Sequence, residues 1–209
     1  MHAKKTNKTK VLAVVLALVL VIGCAAGATL AWLTDKTDPV KNTFTYGDIN
    51  IDLKEHELLA NGTLGSELVT ENDNYKMVPG NVLPKDPFVT VVKDSEACWL
   101  FVKIEKSANF GDFMTFTVAD GWTAVPGVGG VYYREVTAND ADQIFYVLAG
   151  DDDNANGIVT VKEDVTKAML NALDAGEGAA NYPTLTFTAY AVQKEAADNA
   201  ADAWAETGA

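Results

Sequence analysis

Short runs in which apolar and polar residues alternate dominate the chain from residue 44 onward, separated by Gly, Pro, Asn and Asp. Phe44 and Tyr46 share one phase, while Ile49, Ile51 and Leu53 share another. A bulge or bend is therefore expected where the phase shifts, at Gly47-Asp48. Residues 88–92, which follow Pro84 and Pro87, read as a strand. Residues 99–105 alternate Leu100, Val102 and Ile104 against Phe101, Lys103 and Glu105, the pattern of a half-buried strand. Residues 113–118, 131–136 and 144–148 continue the series. Residues 184–192 are the clearest case, with Leu185, Phe187, Ala189 and Ala191 on one face and Thr184, Thr186, Thr188 and Tyr190 on the other.

One segment changes period. Val165, Ala168, Met169, Ala172 and Leu173 recur at helical spacing, with Asp164 as N-cap and Gly176 beyond the end. The Ala-rich stretch 196–205 reads as a loose helix ending near Trp204 or as disorder. Roughly eight strands with regular turns and one inserted helix predict a mainly all-β fold, an antiparallel β-sandwich or jelly roll. This domain spans residues 47–194, and an Ala-rich tail occupies 195–209.

The N-terminus carries the parts of an export signal. Lys4, Lys5, Lys8 and Lys10 precede an unbroken apolar run over residues 11–22, and small residues follow. Thr29 and Ala31 supply the small side chains a signal peptidase requires at its third-last and last positions, so residues 1–31 read as a signal peptide and Trp32 as the mature N-terminus. Two other readings stay open. The uncharged stretch is long enough to cross a bilayer core of roughly 30 Å as an uncleaved anchor. Val21-Ile22-Gly23-Cys24 also has the form of a lipoprotein box. All three place the domain outside the cell.

Charge narrows the partners. Residues 1–31 hold four of 16 basic residues and none of 29 acidic ones, which leaves 12 against 29 and a net charge of −17. Such a chain is a poor ligand for nucleic acid or an anionic membrane, since phosphate contact needs clustered Lys and Arg. Membrane contact is expected only through the signal segment. Cleavage leaves Cys98 as the one cysteine, so no internal disulfide forms, and its apolar neighbours mark it as a small core residue.

Catalytic motifs are absent. After cleavage His56 is the only histidine, with no second one to build a zinc site or a triad, and it reads as a solvated loop or strand-end residue. The chain is therefore expected not to be an enzyme and to need no cofactor. One metal candidate stands apart. Counting from Asp152, oxygen side chains fall at positions 1, 3 and 5 (Asp152, Asn154, Asn156), Gly157 at 6 and Glu163 at 12, the spacing of an EF-hand calcium loop. The preceding segment reads as a strand, however, and Asp-Asn-Gly clusters are ordinary turn formers. Asn61-Gly62-Thr63 likewise reads as a turn.

Thr29-Leu30-Ala31-Trp32-Leu33-Thr34-Asp35, followed by Asn42-Thr43-Phe44-Thr45-Tyr46-Gly47, resembles the start of proteins with the SipW-dependent type of signal peptide, the TasA/camelysin-like group of Gram-positive bacteria. Val78-Pro79-Gly80 with Lys85-Asp86-Pro87, and residues 188–193 with Ala203-Trp204, extend the likeness. The resemblance implies a jelly-roll domain, a dedicated signal peptidase, deposition outside the cell, and a structural role in biofilm-matrix fibres with itself or sister subunits as partners. It also brings a metallopeptidase label, for which no zinc motif is present. A non-polymerising surface adhesin or binding module is the alternative.

The segment 32–46 suits an assembly role. Its middle is polar and holds Pro39, while Trp32 and Leu33 at one end and Phe44 and Tyr46 at the other can fill pockets. Added to an exposed sheet edge of the next subunit, it would extend that sheet head to tail.

Overall fold

The structure, a computed structural model, describes residues 48–72, 75–152, 156–174 and 181–209. Eleven strands are present among them: β1 (Ile51–Leu58), β2 (Leu64–Val69), β3 (Val82–Pro84), β4 (Phe88–Val91), β5 (Cys98–Lys106), β6 (Met114–Thr115), β7 (Thr123–Ala124), β8 (Val131–Val136), β9 (Gln143–Tyr146), β10 (Ile158–Val161) and β11 (Leu185–Gln193). Three α-helices accompany them: α1 (Phe110–Phe113), α2 (Lys167–Asp174) and α3 (Ala200–Glu206). The fold is mainly β and antiparallel, as the alternation predicts. The inserted helix is α2 and the loose-helix reading of the Ala-rich stretch is α3, while the short α1 was not expected from the pattern.

Two four-stranded sheets, β2-β1-β4-β9 and β11-β5-β8-β7, and one three-stranded sheet, β3-β10-β6, make up the fold. Val89, Val91 and Val147 from the first sheet side meet Leu100, Val102 and Ile104 of β5 in one buried cluster, so the two large sheets share a core. The inward phase of β11 read from sequence holds, since Leu185, Phe187, Ala189 and Ala191 all pack on that cluster. This layering is compatible with the sandwich expectation.

β5 departs from the half-buried pattern. Phe101, assigned to its polar face, is 0% exposed, and Trp99 beside it is buried as well. The cause is the C-terminal tail. Asn199 caps α3 by accepting from Ala201 N and Asp202 N, both at 3.0 Å. The helix then lays Trp204 against Phe101 and Tyr190, at ring separations of 5.4 and 5.1 Å. Trp99 Nε1 donates to Ala197 O at 3.2 Å. The tail is thus a second, outer core for β5, not disorder.

Other boundaries shift for local reasons. The strand expected over 113–118 shrinks to Met114–Thr115, because α1 draws Phe110 and Phe113 inward immediately before it. The helix expected from Asp164 starts at Lys167, and the hydroxyl of Thr166, not Asp164, accepts from Met169 N at 3.2 Å. Gly176 lies outside the described residues. β1 and β2 form a hairpin around Gly62, whose φ of +85° suits glycine, and Asn61 Oδ1 accepts from Thr63 N at 3.1 Å. The register slips between His56 and Leu58, and Asn72 bridges the bulge, accepting from Leu58 N and donating to His56 O.

Candidate functional site

The two long sides of the layered core are built differently. Along one side, the sheets are stitched together. Trp122 Nε1 donates to Tyr146 O at 2.8 Å, Ala119 N donates to Val147 O at 2.9 Å, and Val118 bridges Leu148. Arg134 of β8 fills the seam, its guanidinium 5.4 Å from the Trp122 ring and 4.0 Å from that of Phe145. It has no carboxylate partner among the described residues, and burial lowers its affinity for the proton.

Along the other side, a cleft of about 920 Å³ opens between β1, the β3-β10-β6 sheet and the first residues of β11. Leu53, Leu83, Met114, Val159, Leu185 and Phe187 give it an apolar floor. β11 forms the far wall. It pairs with β5 along its whole length, Leu185↔Lys106 to Gln193↔Cys98, and it ends its sheet. Among the described residues no strand pairs with its outer side, and its first residues, Leu185 to Phe187, line the cleft.

A buried polar group stands at the inner end of the cleft. Glu55 continues the inward phase of Ile51 and Leu53 along β1 and is 6% exposed. Lys85, just after β3, meets it at 2.7 Å, and the same ammonium lies 5.1 Å from the Tyr75 ring and 5.8 Å from that of Phe187. The Tyr75 hydroxyl is buried without a hydrogen-bond partner. Burial first, then the charges of Glu55 and Asp86, push its ionisation above the ordinary tyrosine range.

Asp86 is 1% exposed and clamps β1. One oxygen accepts from His56 N at 3.0 Å and the other contacts His56 Nδ1 at 2.7 Å. His56 is therefore neither a loop residue nor at a strand end. It lies within β1, with its ring 5.7 Å from that of Phe88. Gly157 closes the back of this group. Its φ is +137°, and a Cβ there would meet Lys85 O at 2.4 Å, so only glycine lets the segment cross so closely.

The remaining sequence candidates separate. Asp152, Asn156 and Glu163 are exposed, and Asn154 lies outside the described residues. Between Asn156 and Glu163 runs β10, paired with β3 from Ile158↔Pro84 to Thr160↔Val82. A strand rises about 3.3 Å per residue, so β10 carries Glu163 away from Asn156 instead of folding it back. Among the described residues no group of three His, Cys, Asp or Glu side chains gathers in a metal-holding arrangement. Cys98 sits in the core at 0% exposure, and burial raises its thiol pKa to about 11. Thr29, Ala31, Trp32, Leu33, Phe44 and Tyr46 lie outside the described residues. Among those described, no helix is long and apolar enough to cross a membrane.

The cleft and its polar end were missed in the sequence, although one signal was there: Glu55 falls on the inward phase of β1. Comparison with family models, curated proteins and solved structures finds no match.

Proposed function

We propose that the chain is a secreted structural subunit of an extracellular matrix fibre, processed by a dedicated signal peptidase and assembled by strand addition. The observation that supports this reading most directly is β11, whose outer side no described strand pairs and whose first residues line an apolar cleft. In this reading the occupant is residues 32–46 of a second copy. Phe44 and Tyr46 share one face of an extended segment and meet the apolar floor, while the main chain pairs with β11. The segment carries Asp35 and Asp38 against Lys36 and Lys41, so it is locally neutral in a chain of strongly negative charge. That limits repulsion on entry.

The test is negative-stain microscopy of the Trp32–Ala209 form beside the same form carrying Phe44→Asp and Tyr46→Asp. Filaments are expected from the first alone, with both chains folded by circular dichroism. Filaments from both, or from neither under any salt or pH tried, would sink strand addition. Monomers in both cases would leave a non-polymerising binding module as the better description.

A further inference from the structure

The inner end of the cleft holds hydrogen-bonding capacity that the protein leaves unused. Lys85 Nζ donates to Glu55 Oε2 at 2.7 Å and makes no other hydrogen bond among the described residues. An ammonium carries three N–H groups, so donors remain there. Glu55 Oε1 receives no donor among the described residues, and the buried Tyr75 hydroxyl has no partner. All three side chains line the cleft, with the ammonium 5.1 Å from the Tyr75 ring. A buried hydroxyl left unpaired is costly, and in a folded protein it calls for a reason.

Beyond this polar end the lining turns apolar. The volume of about 920 Å³ lies within the range of small-ligand sites, about 300–1,000 Å³. Met77 and Met114 on its walls are unbranched and adapt to the shape of what they touch. The charges select the head group. Glu55 and Lys85 offset each other, Lys54 is paired with Asp52 at 2.5 Å, and the exposed Glu71 has no cation partner among the described residues. An anionic head would thus gain no net attraction and would lie beside Glu55. A carboxylate also only accepts, which leaves Glu55 Oε1 without a donor. A hydroxyl accepts from Tyr75 or Lys85 and donates to Glu55.

We propose that the cleft binds a neutral, single-chain amphipath of the alkyl alcohol class, its hydroxyl among Tyr75, Lys85 and Glu55 and its chain along the apolar floor. The inference does not rest on strand addition. Both would use the same floor, so a bound alkyl chain excludes an entering strand.

The test uses the Trp32–Ala209 form carrying Phe44→Asp and Tyr46→Asp, in which those side chains do not compete for the floor. It is titrated with 1-hexanol, 1-heptanol and 1-octanol while the methionine methyl resonances are followed. Met77 and Met114 line the cleft, and Met169 of α2 does not. The first two should shift and saturate with Met169 unmoved, and affinity should rise about fourfold per added methylene. Octanoate should bind about tenfold more weakly than 1-octanol, because its charge loses water without gaining a cation. Tyr75→Phe removes a hydroxyl that has no partner, so this variant should fold as stably as its parent yet bind 1-octanol about three- to tenfold more weakly. Equal affinity for octanoate and 1-octanol, or for 1-octanol with and without the Tyr75 hydroxyl, would overturn the assignment of the head group. Absence of a saturable shift at Met77 and Met114, or an equal shift at Met169, would overturn the site itself. None of these results bears on whether the parent makes filaments.

Discussion

The two sides of the core each hold a half-buried cation, and they hold it for different reasons. Arg134 on the stitched side lies near the Trp122 and Phe145 rings and has no carboxylate partner among the described residues, so it acts as a flat, partly apolar filler between sheets. Lys85 on the cleft side has a buried carboxylate, Glu55, at 2.7 Å. The stitched side uses main-chain groups in cross-links between sheets, while on the cleft side no described strand pairs with the outer side of β11. A side meant to stay shut needs packing. On the cleft side the contacts from Asp86 to His56 and from Lys85 to Glu55 fix the polar end, and under the strand-addition proposal that end is in place before a strand arrives.

The largest test of this contrast is to remove each cation with its volume kept. Lys85→Met strands Glu55 in the interior, and breaking a buried pair on one side costs about 3–5 kcal/mol. Adding Glu55→Leu should recover most of the loss, because two apolar residues leave no unpaired charge. Urea unfolding of the three chains measures both effects. A loss under 1 kcal/mol for Lys85→Met would mean the cleft end is wet and the pair is a surface feature.

Between the two sides sits Cys98, and it predicts an alkaline weakness. Burial raises its folded pKa to about 11 from the ordinary 9.0. The unfolded thiol then ionises first, so the stability is present below pH 9, declines as pH rises, and is fully lost past about 11. The expected slope is about 1.4 kcal/mol per pH unit. Tyr75, also shifted upward, adds a slope of the same sign at higher pH. Cys98→Ala lowers stability throughout but should flatten the pH 9–11 portion of the urea midpoints. In the native parent, a thiol reagent at pH 8 should find no reactive group until the protein unfolds.

Smaller still is Arg134→Met. It leaves behind aromatic rings and no orphaned anion, so the loss should not exceed the value of the stacking, about 0.5–2 kcal/mol. Equal losses for Arg134→Met and Lys85→Met would abolish the distinction between the two sides.

Much of the β framework was legible from alternation, because those strands face one core and water. Residues 131–136 match β8, and the inward set of β11 is the one read from its pattern. β5 was misread for the opposite reason. Its outer face is covered by α3, nearly one hundred residues later, and no local pattern reports that cover. The cleft fails similarly. Glu55 shows its inward phase locally, but Lys85, Tyr75 and Asp86 come from 20 to 31 residues away, and only folding reveals that they converge on it. Where a charged residue falls on the apolar phase of a strand, the sequence marks a buried polar group without naming its partners.

The smallest expected effect concerns the wall of the cleft side. Val159 of β10 lines the cleft, and the chain enters β10 through Gly157, packed on Lys85 and Asp86. For Asp152, Asn154, Asn156 and Glu163 to surround one calcium ion, Glu163 would have to return to the position of Asn156, since an EF-hand loop closes on its twelfth residue. That return would break the β10 pairing with β3 and β6 and take a wall from the cleft. Glu163 instead continues past Val161, beside Gly80. Millimolar calcium should therefore shift the unfolding free energy of the parent and of Glu163→Gln equally, within about 0.5 kcal/mol, since an ion stabilises only what it binds preferentially when folded. A calcium-dependent rise in the parent that Glu163→Gln removes would show that β10 gives way to an ion site. The wall of the cleft side would then be set by calcium and not by the β10 pairing alone.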